Sequence, residues 1–594
     1  MSHEYRAVTW NRQKRIYDAV VGFGVLALVG LFVGVTAATH PNFTAETALI
    51  RGLGLTALVL LHVVLCIGPL CRLSPAFLPL LYNRRHLGVT MCLVAIAHAG
   101  FGIFQFHALG DVNPLVSLLS ANTAFGSAAG FPFELLGLAA LLILLTMAAT
   151  SHDFWLSVLT PPVWKSLHMM VYLAYALLIG HVALGAMQSD TGTALPIALG
   201  VGAVVVIGLH LAAAFQERAR DRGPRPEADW VDAGPVDGIP EKRARVAVVA
   251  GERVAVFHYD GKLSCVSNVC RHQNGPLGEG KIVDGCITCP WHGYQYRPDS
   301  GTSPPPFDDK VATYNLAVVD GRVKIDPRPN PPGTRVAPVP LPQRTPAQSD
   351  LAPFYIGYAP ASERRLARHT RRATVTLASL AAGTMGILAL AQPPFAPATF
   401  EYGQPRPVVG RLSAFPYPTL VVTEGTRVSR YLLAAAGKHG AGALAQPLDG
   451  STVRVLGSLI RRGNRSMLEV AGIQPSEPDF PDTAPAQTDL GRFTLTGEIV
   501  DAKCWLGVMN PGEGKTHLGC AVRCLSGGLP PLLVVRDSTG DERHLVLTDI
   551  SGGPMPRSIL PRVGRPVSVS GTVIREGDLL FLRAEPSAVT LLAR

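Results

Sequence analysis

Apolar residues gather along this chain in long uncharged blocks, and shorter alternating runs fill the stretches between and after them. Seven blocks lie near 19–39, 52–71, 87–106, 135–151, 166–188, 194–215 and 373–392. A helix of about 20 apolar residues crosses the roughly 30 Å hydrocarbon core of a bilayer, so the pattern predicts six clustered membrane spans and a seventh further on. The fourth block is the shortest and the seventh is rich in alanine. Between the sixth and seventh blocks the pattern turns to short β-type runs, RVAVV and RVAVF, with turns at Asp260-Gly261 and Asp299 to Gly301. That reads as an all-β domain. After the seventh block, 404–473 and 491–593 read as a diverged repeat, each closing on two alternating strands about a tight turn. Such units suit small barrels of OB type.

Charge orients the spans. Charged residues are 16% of the chain and the net charge is +10. Arg6, Arg12, Lys14 and Arg15 precede the first span, and Arg72, Arg84 and Arg85 lie between the second and third. Lys165 precedes the fifth, and Arg218, Arg220, Arg222 and Arg225 follow the sixth. The opposite loops carry Asp111 and Asp190. All the basic groups fall on one side, which the positive-inside rule makes cytoplasmic. The excess of positive charge is thus a membrane flank and no sign of nucleic-acid binding. Residues 216–370 are expected in the cytoplasm, and Arg364, Arg365, Arg368, Arg371 and Arg372 before the seventh span agree. Everything past about 395 is expected outside, in the periplasm if the membrane is a bacterial inner membrane. No cleavable signal peptide is evident.

The expected division is a cytoplasmic N-terminus at 1–16, a membrane domain at 17–216, a β domain at 229–327, a linker at 328–371, the seventh span at 372–393 and an external all-β region at 400–594. Eight prolines between 327 and 346 mark the beginning of the linker, which reads as an extended spacer.

The strongest motif is CRH at 270–272 followed by CPWH at 289–292. Each loop offers one Cys and one His. Cys270, His272, Cys289 and His292 match a 2Fe–2S cluster in which thiolates hold one iron and imidazoles the other, raising the potential above that of an all-Cys cluster. Tetrahedral zinc is the competing reading, but zinc fingers usually pair Cys with Cys and His with His. Over 229–327 the chain resembles the Rieske ferredoxin family, in the loops CRHQNGPLGEG and CPWHGYQY. The quinol-oxidising branch of that family has an extra Cys in each loop, and here those places hold Gly275 and Trp291. Its high-potential members have a Ser where this chain has Tyr294, whereas Tyr296 matches a family tyrosine that bonds a ligand sulfur. The resemblance therefore implies the disulfide-free branch and a negative or modest midpoint potential. Cys265 and Cys286 lie off the pattern and read as buried small residues.

Six histidines fall in or near the apolar blocks: His62, His98, His181 and His210 inside, His86 and His168 near span ends. Ionisable groups at that depth are costly and tend to be functional, and a neutral imidazole is an axial heme ligand. The stretches NRRHLGVTMCLVAIAHAGFG at 83–102 and WLSVLTPPVWKSLHMMVYLAYALLIGH at 155–181 resemble the ferric-reductase-like transmembrane family, nearest the heme-binding membrane subunit of the periplasmic methionine-sulfoxide reductase. The resemblance implies a heme-binding six-helix bundle over roughly 17–215 with His98, His168 and His181 as family histidines. Spans three and five run parallel, so His98 and His181 fall at similar depth and form the expected b-type heme pair. His168 lies thirteen residues earlier, roughly 20 Å lower, level with His86. A second heme between these two is the extension of that reading, although positions twelve or thirteen apart face different ways on a helix. His62 and His210 remain unassigned.

The external region carries an insertion, 501–528, with Cys504, Cys520 and Cys524 beside Met509 and His517. Three Cys and a His suit zinc or copper. A redox dithiol, or one disulfide with a leftover thiol, fits the same residues. No dinucleotide-binding fingerprint is present, so electrons would come from a separate cytoplasmic reductase or ferredoxin. Together these readings predict a transmembrane electron-transfer oxidoreductase: Rieske cluster, one or two hemes b, then an external acceptor. A quinone-linked redox protein and a redox-sensing or metal-binding membrane module are the alternatives.

Overall fold

The computed structural model describes residues 12–151, 155, 159, 161–189, 192–221, 230–272, 274–291, 293–305, 307–341, 364–424, 427–477, 487–537 and 541–592. Its membrane part is built from α1 (Arg12–Thr39), α2 (Ala45–Leu73), α3 (Arg84–His107), the short α4 (Pro114–Ser120), α5 (Phe133–Ala149), the collinear α6 (Pro161–Met169) and α7 (Val171–Leu184), and α8 (Ala194–Asp221). The last span is α9 (Arg364–Leu390). Six of these helical stretches are long and apolar enough to cross a membrane, and α5 is a shorter apolar helix. The chain is a membrane protein. α2 is its centre: Leu60, Leu61, Val64 and Leu65 pack in one core with Met91 and Cys92 of α3, Leu144 of α5 and Ala174 of α7. Leu26, Val204, Ile207 and Leu380 are exposed, as residues facing lipid are.

Between α8 and α9 lies the first β domain. Strands β1 (Ala244–Val249), β2 (Glu252–Tyr259) and β3 (Lys262–Ser267) form an antiparallel sheet. A second small sheet joins β4 (Lys281–Val283), β5 (Cys286–Thr288) and β6 (Gln295–Tyr296). The Pro-rich stretch begins as part of this domain. Val339 and Pro340 pair with Leu263 and Lys262 of β3, and the Leu341 amide donates to Gly261 at 2.9 Å. The expected free spacer at 328 thus stays with the domain as far as 341 and ends in a two-residue edge pairing, a place where missing proline N–H groups cost little. Residues 342–363 lie outside the described residues. The last helix starts at Arg364, earlier than expected, because arginines favour helix and can reach past the hydrocarbon.

The C-terminal region is two barrels of one topology. In the first, β7 (Arg406–Ser413), β8 (Thr419–Glu424), β9 (Arg427–Ala434), β10 (Thr452–Arg462) and β11 (Arg465–Pro475) pair in a ring, closed by a parallel β9–β11 contact. The second repeats this with β12 (Gln487–Asp501), β13 (Pro531–Arg536), β14 (Glu542–Thr548), β15 (Pro566–Glu576) and β16 (Leu579–Arg583), closed by a parallel β14–β16 contact. Closure leaves few edges, as the repeated alternation implied. The Cys-bearing insertion, with α10 (Leu518–Ser526), sits between β12 and β13.

The two β regions meet opposite ends of the bundle. The Rieske-type loops touch the start of α3 and the α6 region, through Arg85 and Trp291. The barrels touch the other end. Lys438 donates to the carbonyls of Gln105 and Ala108 at 3.1 and 2.5 Å, Lys515 to Gln188 at 3.0 Å, and the Thr44 amide to Asn510 at 2.9 Å.

Candidate redox centres

The two cluster loops share one backbone design. The Cys270 amide donates to the Gly275 carbonyl at 2.9 Å, and the Asn274 amide returns to the Cys270 carbonyl at 2.7 Å. The Cys289 amide donates to the Tyr294 carbonyl at 2.8 Å, and the Gly293 amide returns to Cys289 at 2.9 Å. Asn274 and Gly293 hold matching positive φ of 59° and 72°. Each Cys thus sits at the mouth of an identical knuckle. Cys270, Cys289 and His272 are buried, while His292 lies outside the described residues. A Cβ on Gly275 would stand 2.6 Å from the Cys289 sulfur and 3.2 Å from the Trp291 ring, so this approach excludes any larger residue.

Around the cluster loops, Tyr296 Oη lies 3.5 Å from Cys270 Sγ and accepts from the Arg271 amide at 2.9 Å. Tyr294 stacks on His272, ring centroids 5.1 Å apart and planes 7° from parallel. Its hydroxyl donates to Asp309. Burial pushes both phenols well above the usual range, so both stay protonated donors. The outer nitrogen of His272, Nε2, is 3.4 Å from Arg85 Nη2. The Arg85 guanidinium lies 5.3 Å over the buried Trp164 ring, and Trp164 stacks on His168 at 3.9 Å. Sequence reasoning named neither Arg85 nor Trp164 as part of a site. Their role arises only from the docking of two separate domains.

Within the bundle, His98 and His181 come together, ring centroids 6.4 Å apart and planes 85° apart. Each donates Nδ1–H to a backbone carbonyl, His98 to Ile50 and His181 to Phe133, both at 2.9 Å. That fixes the tautomer, and the two rings line a cavity of about 320 Å³ together with Phe106, Phe133 and Leu141. Glycine makes room for both rings. A Cβ on Gly54 would fall 2.9 Å from His98, and one on Gly137 2.7 Å from His181. Metal–nitrogen bonds of about 2 Å at both rings would set the centroids roughly 6 Å apart, so the pair fits bis-imidazole ligation of one iron.

The other histidines behave differently. His62 uses both nitrogens, on the Leu58 carbonyl at 2.8 Å and the Tyr175 hydroxyl at 3.0 Å. His210 does the same with Val206 at 2.8 Å and Tyr172 at 3.0 Å. His86 is held by Asp18 of α1 at 2.8 Å. His168 bonds the Trp164 carbonyl at 3.0 Å and keeps a buried Nε2 with no hydrogen-bond partner among the described residues. His86 and His168 are thus directed to different neighbours.

At the barrel end of the bundle, Cys504, Cys520 and Cys524 converge, all buried, with sulfur separations of 3.8 and 3.9 Å about Cys520. Hydrogen bonds from Cys504 and Cys524 hold the Cys520 thiol well below its usual range. His517 sits to one side of the triad, grouped with Cys504 and Asp501, its Nε2 2.8 Å from Asp501.

Comparison with known proteins adds to this geometry. The Rieske [2Fe-2S] domain matches residues 229–315, and the ferric reductase like transmembrane component matches 53–179. The anthranilate 1,2-dioxygenase ferredoxin subunit of Burkholderia cepacia is 31% identical over 102 residues, which are 17% of this chain and 93% of that protein. The 3-phenylpropionate/cinnamic acid dioxygenase ferredoxin subunit of Photorhabdus laumondii is 32% identical over 92 residues, 15% of this chain and 87% of that protein. Among solved structures, the Sphingomonas yanoikuyae B1 ferredoxin shares 25% identity over 16% of this chain and 98% of its own, with a TM-score of 0.16. The chain is a membrane-bound electron-transfer redox protein. It belongs to the Rieske [2Fe-2S] family through 229–315, with a ferric-reductase-like transmembrane domain in the same polypeptide. Neither family match reaches the barrels.

Proposed function

We propose that this protein moves electrons across an inner membrane, from a cytoplasmic reductase or ferredoxin, through the Rieske centre and one heme b, to an acceptor on the outer face. The observation that carries the reading is the contact of His272 with Arg85 at one end of the bundle, opposite the end that seats the barrels. Bound in place, the iron–sulfur cluster and the heme each take up and release one electron. The chain supplies their positions. Cys270, His272, Cys289 and His292 would hold the cluster, and the knuckle hydrogen bonds fix both thiolates before any metal arrives. His98 and His181 would hold the heme, their Nδ1–H bonds to Ile50 and Phe133 fixing the rings. Arg51 also lines that cavity and offers a cation to acidic groups of the bound ring system. His86 and His168 are not brought face to face, so a single heme is assigned. Because His272 faces the bundle, a donor would dock on another face of the Rieske domain.

The charge pattern supports the direction. The Rieske end carries Arg84, Arg85 and the arginines that start α9, as a cytoplasmic flank does. The test uses full-length protein in sealed vesicles. With reductant on the Rieske side, an impermeant acceptor on the barrel side is reduced by the wild type. Cys270→Ser abolishes this while the heme spectrum persists. Unchanged reduction in Cys270→Ser would refute the route.

A further inference from the structure

The electron route leaves one built site unused, the thiol triad of the insertion. Cys504 follows β12, and Cys520 and Cys524 lie one turn apart on α10, so one face of that helix aims two sulfurs at the first. The three sulfurs lie within 4.8 Å of one another, and the three residues are at most 4% exposed. Metal–sulfur bonds of about 2.3 Å spread around one ion set sulfurs roughly 4 Å apart. The separations of 3.8 and 3.9 Å match that spacing.

The fourth neighbour decides the ion. Met509 Sδ lies 3.5 Å from Cys520 Sγ. His517, the nitrogen donor the sequence offered, groups with Cys504 and Asp501 rather than with all three thiols, and its Nε2 is held by Asp501 at 2.8 Å. Its Nδ1 is buried without a hydrogen-bond partner among the described residues. Asp501, fully buried, also caps the Cys504 amide at 2.8 Å and so fixes the loop that presents this thiol. Zinc favours a nitrogen, oxygen or thiolate fourth ligand. Three thiolates with a thioether form a soft, all-sulfur set, which selects Cu(I).

We propose that Cys504, Cys520 and Cys524 bind a single Cu(I) ion, with Met509 as a weak fourth contact. The proposal stands on these residues alone and does not depend on the electron route. As each sulfur bonds, its thiol proton passes to solvent. The copper keeps its oxidation state and no electron moves. The ion would sit against the outer end of the bundle. A Cβ on Gly519 would stand 2.8 Å from His107, and Pro511 and Thr516 of the same insertion line the cavity that holds His98 and His181.

The test titrates full-length, detergent-purified, oxygen-free protein with chelator-buffered Cu(I), and a parallel sample with Zn(II). Cluster electron paramagnetic resonance serves as the check that the fold is intact. The expected result is about one Cu(I) per chain beyond any taken up by Cys520→Ser, with only sulfur neighbours at about 2.3 Å in X-ray absorption. Met509→Leu keeps the packing volume and is expected to weaken Cu(I) binding roughly tenfold with the cluster signal unchanged. Should Cys520→Ser fail to fold, Met509→Leu and a thiol count decide. Three outcomes would overturn the proposal: tighter zinc than copper with nitrogen in its shell, two of the three thiols locked as a disulfide with no metal bound after reduction, or copper held unchanged in Cys520→Ser.

Discussion

Arg85 Nη2 of the membrane bundle lies 3.4 Å from Nε2 of His272, a ligand position of the cluster. A cation there stabilises the more negative, reduced cluster. Arg85→Ala is therefore expected to lower the cluster midpoint by roughly 30–60 mV, a fraction of a full unit charge at short range in a partly screened site. Arg85→Lys should recover most of the shift. A potentiometric titration at fixed pH reads both, and an unmoved midpoint in Arg85→Ala would show that the contact carries no electrostatic weight.

Of the six membrane histidines, His98 and His181 alone share a ring contact with each other, and both line the cavity. His98→Ala and His181→Ala should each abolish a bis-histidine b-type spectrum. His62→Ala and His210→Ala should keep it, since both rings are already spent on backbone and tyrosine partners. Gly137→Ala tests the cradle without touching a ligand. A methyl 2.7 Å from the His181 ring forces it aside, and heme content should fall. Full heme in that variant would remove the argument from close approach.

Two tyrosines beside the cluster give opposite expectations. Tyr296 offers its hydroxyl to Cys270 Sγ, whereas Tyr294 spends its hydroxyl on Asp309. Removing a donor to a ligand sulfur disfavours the electron-rich reduced state. Tyr296→Phe should thus lower the midpoint by some tens of mV, roughly, and Tyr294→Phe should move it far less. The wild-type value is expected to be negative or modest, because one of the two hydroxyls is diverted.

In the second barrel, His544 lies against Arg465 and Arg462, and burial followed by those two charges pushes its pKa down to about 4. An unfolded histidine titrates near 6.5. As pH falls the unfolded chain takes the proton first, so stability is whole above about 6.5, declines towards about 4, and levels off below. The loss should reach roughly 3 kcal/mol at most. Amide exchange in β14 across this window should show the slope, and His544→Gln should flatten it.

The large pattern was legible because it is local. Runs of about 20 apolar residues announce their own helices, and α5 was recognisable even as the shortest. The cluster loops show themselves by ligand spacing, and the paired barrels by repeated alternation. What escaped was set by distant partners. Whether an apolar-span histidine is spent or available depends on Ile50 and Phe133 for one pair, and on Tyr175 and Tyr172 for the other. No periodicity encodes those contacts. The same holds for Met509, which lies against Cys520, and for His517, which Asp501 holds beside Cys504. The start of the expected spacer after 327 is held to the domain, because proline-rich sequence suits an edge pairing as well as a tether, and only the pairing of Val339 and Pro340 with β3 distinguishes them.

The Rieske domain is joined to the bundle through both of its chain ends, to α8 before it and α9 after it. A soluble ferredoxin must find its oxidase by collision, at a rate that dilution slows. Here the two redox sites share one polypeptide, at an effective molarity set by tether length and untouched by expression level. Transfer between them should be first order, and a hundredfold dilution of the membranes should leave its rate constant where it was.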